Sequence, residues 1–230
     1  MNEYFLCLTP YGPVRAGAVK PKGDYLDTLS YLPGSVLRGA LAEWLKVQGR
    51  ESQIPQIVQH TRFGNFFPSV DANAYALPFP FSALECKLER GFRNARNLRK
   101  RGHGIRDTLL LAVAYTALEQ LGARFPVPFL LRCSGEDKGC RGRMEKVSGF
   151  YVRLPEGWEK VEVARGVQTK VALSRYRRAA QEQMLYRVVG IRPNHVFVGR
   201  IWVDDPQVKD LLVEAVQNIG VGALTTRGFG

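Results

Sequence analysis

The clearest periodicity in the chain is HVFVGRIWV, residues 195–203. Phe197, Ile201 and Val203 fall on one side, and Val196, Val198 and Arg200 on the other. Alternation with a period of two predicts a strand with one buried face. Pro206 follows in the first turn of the next element, where a helix tolerates proline. Val208, Leu211, Leu212, Ala215, Val216 and Ile219 then recur at helical spacing and predict an amphipathic helix. A second such run is YLPGSVLRGALAEWL, residues 31–45. Val36, Leu37, Ala40, Leu41, Trp44 and Leu45 form its apolar face. Pro33-Gly34 is its entering turn, Ser35 its expected cap and Gly49 its stop. Arg38 lies in the first two turns and reads as a buried arginine beside Gly39.

The remaining pattern is weaker. Residues 3–8, bounded by Pro10, Gly12 and Pro13, predict a first strand with Cys7 in the core. Residues 50–105 contain FGNFFPS and ALPFPF, whose prolines interrupt strands, and they predict an irregular insertion. Residues 105–121 predict a helix with Asp107 in its first turn and Gly122 at its end. Residues 125–131 read as extended, and 149–153 and 161–163 as strands. Residues 170–178 and 184–191 read as extended arms on either side of a polar bend.

In order, these segments give strand, helix, insertion, strands, helix and the glycine-rich loop GVGALTTRGFG. Without the insertion, most of a ferredoxin-like β-α-β-β-α-β unit remains. The predicted class is α+β. Residues 1–49 and 148–230 form an RRM-like domain, and residues 50–147 form a long irregular insertion. A glycine-rich loop is a poor end to a domain, because glycine is costly to order and packs nothing. The last strand is therefore expected to be absent from this chain and supplied by a continuation or by a partner.

Composition bounds the class. With 230 residues, 45% of them hydrophobic, the chain can bury a sizeable core. No window approaches twenty apolar residues, which excludes a membrane-spanning helix. The start MNEYFLCLTP has no basic flank before a long apolar stretch, so the expected location is the cytoplasm. There, cysteines bind metal or are buried rather than pair. The formal charge of +12 is concentrated in two blocks. Residues 87–106 carry eight Lys or Arg against Glu89, and residues 165–187 carry six against Glu182. Two basic blocks on a neutral body predict a polyanionic partner; two solvated surfaces are the alternative.

Several groups carry candidate chemistry. Cys86, His103, Cys133 and Cys140 form a candidate zinc set, since four S or N donors in a tetrahedron would pin an insertion that lacks its own core. Six residues separate Cys133 from Cys140, and unliganded thiols beside a surface histidine are the alternative. Gly220, Gly222, Gly228 and Gly230 would let main-chain N–H groups approach phosphate, with Arg227 adding a guanidinium. Arg165, Gln168, Thr169, Lys170, Arg175, Arg177 and Arg178 are interleaved with Tyr176 and Tyr186. Cations would hold phosphates there while rings stack bases; Tyr176 and Tyr186 as core residues are the alternative. The helix start with Arg38 and Gly39 is expected to face RNA backbone or a neighbouring subunit; a capped core helix with Arg38 reaching out to water is the alternative. His60 and His195 have no nucleophile nearby in sequence, and Asp24 and Asp27 lie in the loop before the first helix. No catalytic centre assembles, so binding rather than catalysis is expected.

Three stretches together resemble the RAMP superfamily of CRISPR–Cas proteins, whose domains are ferredoxin-like. They are LPGSVLRGAL, then RGVQTKVALSRYRRAAQEQMLYRV followed by FVGRI, and the terminal G-x-G-x5-G-x-G. Cys86-Lys87, HGIRDTLL at 103–110, the later cysteine pair and SGFY make the chain most similar to the x-ten family of type III-D systems, a group 5 RAMP subunit. The resemblance spans nearly the full length. It implies a subunit that grips the repeat-derived 5′ tag of the guide RNA. Such a subunit abuts the large subunit and the first backbone RAMP subunit, with target RNA nearby. The segment 165–187 resembles the thumb-like hairpin that lies across guide RNA. In backbone subunits an aspartate in a loop comparable to that of Asp27 cuts target RNA, but KPKGDYLDTLSYLPGS lacks their surrounding pattern. Guide-processing endoribonucleases share the glycine loop and use a histidine, yet do not carry the PGS-x-LRG helix or TKVALSR. A purely protein-bridging scaffold is the remaining class.

Overall fold

The computed structural model describes residues 1–17, 25–123, 132–133, 135, 139–173, 180–224 and 229; at 172–173 and 180–184 it describes the backbone alone. The expected extended stretch 125–131 lies outside these residues. The chain divides into two compact units, Met1–Tyr75 with Val163–Gly230, and Ala76–Glu162. The first opens with β1 (Asn2–Leu8), β2 (Tyr25–Leu26), α1 (Gly34–Val47), α2 (Ile54–Gln59), β3 (Thr61–Phe63) and β4 (Phe67–Ser69). The second holds β5 (Leu77–Pro78), β6 (Ala83–Cys86), β7 (Ile105–Asp107), α3 (Leu109–Gln120), β8 (Met144–Lys146), β9 (Phe150–Leu154) and β10 (Gly157–Val161). The chain then returns to the first unit with β11 (Arg165–Leu173), β12 (Ala180–Ile191), β13 (Val196–Val203) and α4 (Pro206–Ile219).

Strand β13 organises the first unit. β1 pairs with it antiparallel from Asn2↔Val203 to Leu8↔Phe197, and β3 and β4 share its other side. Phe197, Ile201 and Val203 are buried, as their alternation predicts. They pack with Leu37, Leu41 and Leu45 of α1 and Val208, Leu212 and Ala215 of α4. On the opposite face the Arg200 guanidinium lies 5.0 Å from the Phe5 ring centroid and 4.9 Å from that of Tyr75, and pairs with Glu3 at 3.2 Å. Cys7, expected in the core, is exposed. The two-residue period sends Leu6 and Leu8 inward and leaves Cys7 on the face of Phe5. A second sheet joins β11 to β12 antiparallel, with Arg165 opposite Ile191 and Val171 opposite Leu185. β2 adds to β12 in parallel.

The second unit holds two three-stranded antiparallel sheets, β10-β9-β5 and β7-β6-β8. Among the described residues no helix is long and apolar enough to cross a membrane.

Four further expectations need correction. Ser35 does not cap α1. Pro33 holds the cap position, and the Gly34 N–H donates to Asn65 Oδ1 at 3.2 Å. Arg38 is exposed, because it lies about 100° around the helix from Leu37, which faces the core. Residues 50–105 are not irregular throughout, since β3, β4, β5 and β6 lie there, each of two to four residues. Runs that short display no readable period. Similarly, residues 105–121 begin as a strand on β6, and the helix starts only at Leu109, whose N–H donates to Asp107 Oδ1 at 3.0 Å.

Capping by Asn65 sets a test. Asn65→Ala should destabilise the protein by about 1 kcal/mol in urea unfolding, the usual size of a lost cap. Ser35→Ala, at an exposed position without that role, should change stability by less than about 0.5 kcal/mol.

Candidate metal centre and nucleic-acid interface

In the second unit β6 is the middle strand of its sheet, and Cys86 ends it opposite Met144 of β8. His103 lies just before β7. Arg132 bridges to Arg143, and the Cys133 N–H donates to Gly142 O at 2.9 Å. This small ladder folds Cys133 and Cys140 onto Cys86 despite the six residues between them. The four donor atoms lie within 4.8 Å of one another. Cys86 Sγ is 3.9 Å from Cys140 Sγ, and Cys133 Sγ is 3.4 Å from His103 Nδ1. A tetrahedron with Zn–S bonds of ~2.3 Å and Zn–N bonds of ~2.0 Å has edges of about 3.8 Å between sulfurs and 3.5 Å between sulfur and nitrogen. The structure thus brings together all four residues that the sequence grouped, in an arrangement able to hold a metal ion.

The electrostatics of the cluster favour a thiolate. Burial alone would push the Cys86 thiol up. Backbone hydrogen bonds from Glu89 and Leu88, with His103 and Cys133 beside it, overcome that and bring it down to about 7. Burial pushes Cys133 up. The Gly142 N–H donates to Cys140 Sγ at 3.4 Å, and the His103 N–H donates to Glu89 O at 3.1 Å. A Cβ on Gly142 would lie 3.0 Å from Cys86 Sγ and 3.2 Å from Cys140 Sγ, so only bare backbone passes there comfortably.

The expected RNA contacts lie in the first unit. Gln168 and Thr169 are exposed on β11, and Lys170 stands opposite the half-buried Tyr186 of β12. Lys170 Nζ lies 4.9 Å from the Phe229 ring centroid. Arg165 donates to Ser30 Oγ and pairs with Asp27 Oδ1 at 3.5 Å, while Asp27 also accepts from the Thr28 N–H at 2.8 Å. The described part of the glycine loop is anchored rather than free. Val221 and Phe229 are buried, and the Ala223 N–H donates to Arg15 O at 2.8 Å. Gly222 has φ of +130°, and a Cβ there would meet Arg15 O at 2.9 Å. Gly220 has φ of +82°. Arg38 and Gly39 are exposed on α1. Arg175, Tyr176, Arg177, Arg178, Arg227, Gly228 and Gly230 lie outside the described residues, as does Asp24.

Each histidine is engaged. His60 Nδ1 is 3.0 Å from Asp204 Oδ2, His103 joins the cysteine cluster, and His195 Nε2 accepts from the Ala164 N–H at 3.0 Å. A feature the sequence did not reveal is a cavity of ≈ 560 Å³ in the second unit, walled by Phe92, Tyr151 and Trp158. Phe92 precedes by a long stretch the paired strands β9 and β10 that carry Tyr151 and Trp158, so no local pattern joins the wall.

The profile of the RAMP superfamily matches residues 8–230. No curated protein matches the sequence. A chain of the cryo-EM structure of the type III-B Cmr-beta bound to cognate target RNA is similar over 100% of this chain and 95% of its own, at 10% identity and a TM-score of 0.46. A chain of the type III-B Cmr-beta apo state is similar over 99% and 94%, at 9% identity and a TM-score of 0.44. Likenesses this distant carry no functional argument.

The engagement of His195 sets a pH dependence. Burial holds its pKa below the ordinary histidine value, so the folded chain keeps the ring neutral while the unfolded chain takes up a proton first. Stability from this group is therefore complete above about pH 6.5 and declines as the pH falls below it. His195→Gln should flatten that part of the stability–pH curve measured by urea unfolding.

Proposed function

Because the chain belongs to the RAMP superfamily, we propose that it is an RNA-binding subunit of a type III CRISPR effector complex. In this reading it is a group 5 subunit of the type III-D kind, with a ferredoxin-like domain in its first unit. It grips the 5′ tag of the guide RNA and caps the backbone beside the large subunit, close to target RNA. The observation that carries this reading is the meeting of two sequence motifs. The basic hairpin and the glycine loop, distant in sequence, come together where Lys170 overlies Phe229. Phosphates could thus be held by cations of the hairpin and by main-chain amides of the loop beside it.

The reading is of a binder rather than a nuclease. The Asp27 carboxylate is occupied by Arg165 and the Thr28 N–H, and the three histidines have the partners given above. Incubation of the purified chain with repeat RNA should leave the RNA intact, and Asp27→Ala should leave target cutting by the assembled complex unchanged. Cleavage lost with either Asp27 or a histidine would establish the ribonuclease alternative.

The same proposal assigns a structural zinc ion to Cys86, His103, Cys133 and Cys140. The donor set suits zinc chemically, and the reducing cytoplasm proposed for the protein keeps the thiols available. The ion would supply folding free energy by tying Cys86 at the end of β6 to the segments that carry His103, Cys133 and Cys140.

Guide-RNA retention tests the first assignment. Gly222→Ala forces a side chain into φ +130° against Arg15 O. It should lower retention in the assembled complex about tenfold, the scale of 1–3 kcal/mol of backbone strain. Retention equal to wild type would remove the glycine loop from the RNA site. Metal analysis tests the second: one zinc per chain is expected, and Cys133→Ser should abolish it and lower the melting temperature. A zinc content near zero would leave four unliganded side chains.

A further inference from the structure

We propose that the cavity of the second unit is a second binding site for single-stranded RNA, with Arg99, Lys100 and Arg101 holding phosphate and the Phe92–Trp158 stack receiving a base. The proposal rests on the reading of the chain as an RNA-binding subunit, but concerns a surface in the other compact unit.

The basic block at 87–106 is divided by the structure into two kinds of cation. Lys87 and Arg90 pair with Glu145 at 3.3 and 3.0 Å, and Arg96 pairs with Glu159 at 2.9 Å and Glu156 at 4.0 Å. These are neutralised locally. Arg99, Lys100 and Arg101 are exposed and have no ion pair among the described residues. They stand at the cavity of ≈ 560 Å³ together with Phe92, Tyr151 and Trp158. Acids line the cavity too: Glu89, Glu159 and Glu162. Of these, Glu159 is already committed to Arg96.

The aromatic wall is ordered. Phe92 and Trp158 stack at 4.3 Å between centroids, inclined by 6°, and Tyr151 meets Phe92 edge-on at 5.5 Å. The loop that bears the cations is fixed on both flanks. On one side, the Arg96 N–H donates to Trp158 O at 2.9 Å and the Trp158 N–H to Asn94 O at 3.0 Å. On the other, the Gly102 N–H donates to Phe92 O and the Gly104 N–H to Gly91 O, both at 3.0 Å. The buried carboxylate of Glu85 secures the base of the loop by accepting from the Gly91 N–H at 3.0 Å.

Three adjacent cations without an ion pair among the described residues, on a loop tied to a stacked aromatic pair by backbone hydrogen bonds, match the two parts of a nucleotide. An unpaired strand presents phosphate and a free base face within one residue. A duplex hides its base faces, and an acidic peptide has no use for the stack.

The test uses the full chain and a fluorescein-labelled oligouridylate of about 10 nucleotides, within the site sizes usual for single-strand binders. Three variants are compared with wild type by fluorescence anisotropy over a salt series: Arg99→Ala/Lys100→Ala/Arg101→Ala, Trp158→Phe and Lys170→Ala. The triple variant, confined to exposed positions, should bind about tenfold more weakly. The slope of log affinity against log salt should fall by about 2, from three phosphate contacts at ~0.7 each on single strands. Trp158→Phe keeps a smaller stacking face and should bind more weakly than wild type with an unchanged salt slope. Ultraviolet crosslinks should map to Phe92 or Trp158 in wild type and disappear in the triple variant.

RNA binding that is lost in Lys170→Ala but unchanged in the triple variant would overturn this proposal while leaving the first-unit site standing. Loss of a neighbouring effector subunit from the triple variant, with RNA affinity unchanged, would make the cations a protein contact and also overturn it. No RNA binding by wild type would overturn both readings.

Discussion

Strand β13 is shared by three partners, and the first unit depends on that sharing. β1 covers one side of it completely, while β3 and β4 divide the other. Its inward residues Phe197, Ile201 and Val203 then lie under both α1 and α4. Burying large apolar side chains contributes about 1.5–3 kcal/mol each, so this strand joins segments from the two ends of the chain. The interruption at Ala76–Glu162 is tolerated because both flanking parts are tied to the same strand. The glycine loop inherits its position from this arrangement. It leaves α4, is anchored by the Ala223 N–H at Arg15 O, and buries Phe229.

The second unit is organised differently. Its buried apolar residues include Phe150, Val152 and Val161 of β9 and β10, and the cluster around Cys86, Cys133 and Met144 has Leu84 and Cys140 packed against it. Polar and aromatic contacts add to that burial. Glu85, 1% exposed, holds the Gly91 N–H, while Tyr151, its hydroxyl pKa pushed up to about 12 by burial and by the charge of Glu85, meets Phe79 and Phe92 edge-on. Removing either the carboxylate or the thiol cluster would loosen the loop between Cys86 and His103, because both hold its two feet. Meanwhile α3 has no buried residue, and Leu109, Leu110, Leu111, Val113 and Leu118 are exposed on it.

What the sequence made legible was what repeats. β13, α4 and the body of α1 have periods long enough to count, and the structure has them at those positions. Ser35 misled because a cap was sought among neighbours, whereas Asn65 approaches from 31 residues away. Arg38 misled because apolar neighbours in sequence are not neighbours on a helix surface. β3 and β4 were illegible because three residues carry no period; only their pairing with β13 makes them strands. The cysteine cluster was legible by residue type, although the ladder that closes the gap between Cys133 and Cys140 was not. The aromatic wall was invisible, since Phe79, Phe92, Tyr151 and Trp158 meet only in three dimensions.

Formal charge proves to be a poor count of available charge. Arg165 belongs to the basic stretch that first suggested a polyanion, yet its guanidinium already touches Ser30 and Asp27. A phosphate would have to replace that carboxylate. Such an exchange is not prohibitive, because an exposed ion pair is worth only about 0–1 kcal/mol. A charge-assisted hydrogen bond to phosphate is of the same kind. The exchange contributes little net affinity, however, whereas a cation with no partner releases no carboxylate on binding. Affinity for a polyanion should therefore be concentrated at the unpaired cations, and paired ones should chiefly orient the loops that bear them. On that argument Arg96 and Arg165 act as braces, and the exposed trio at 99–101 acts as the contact.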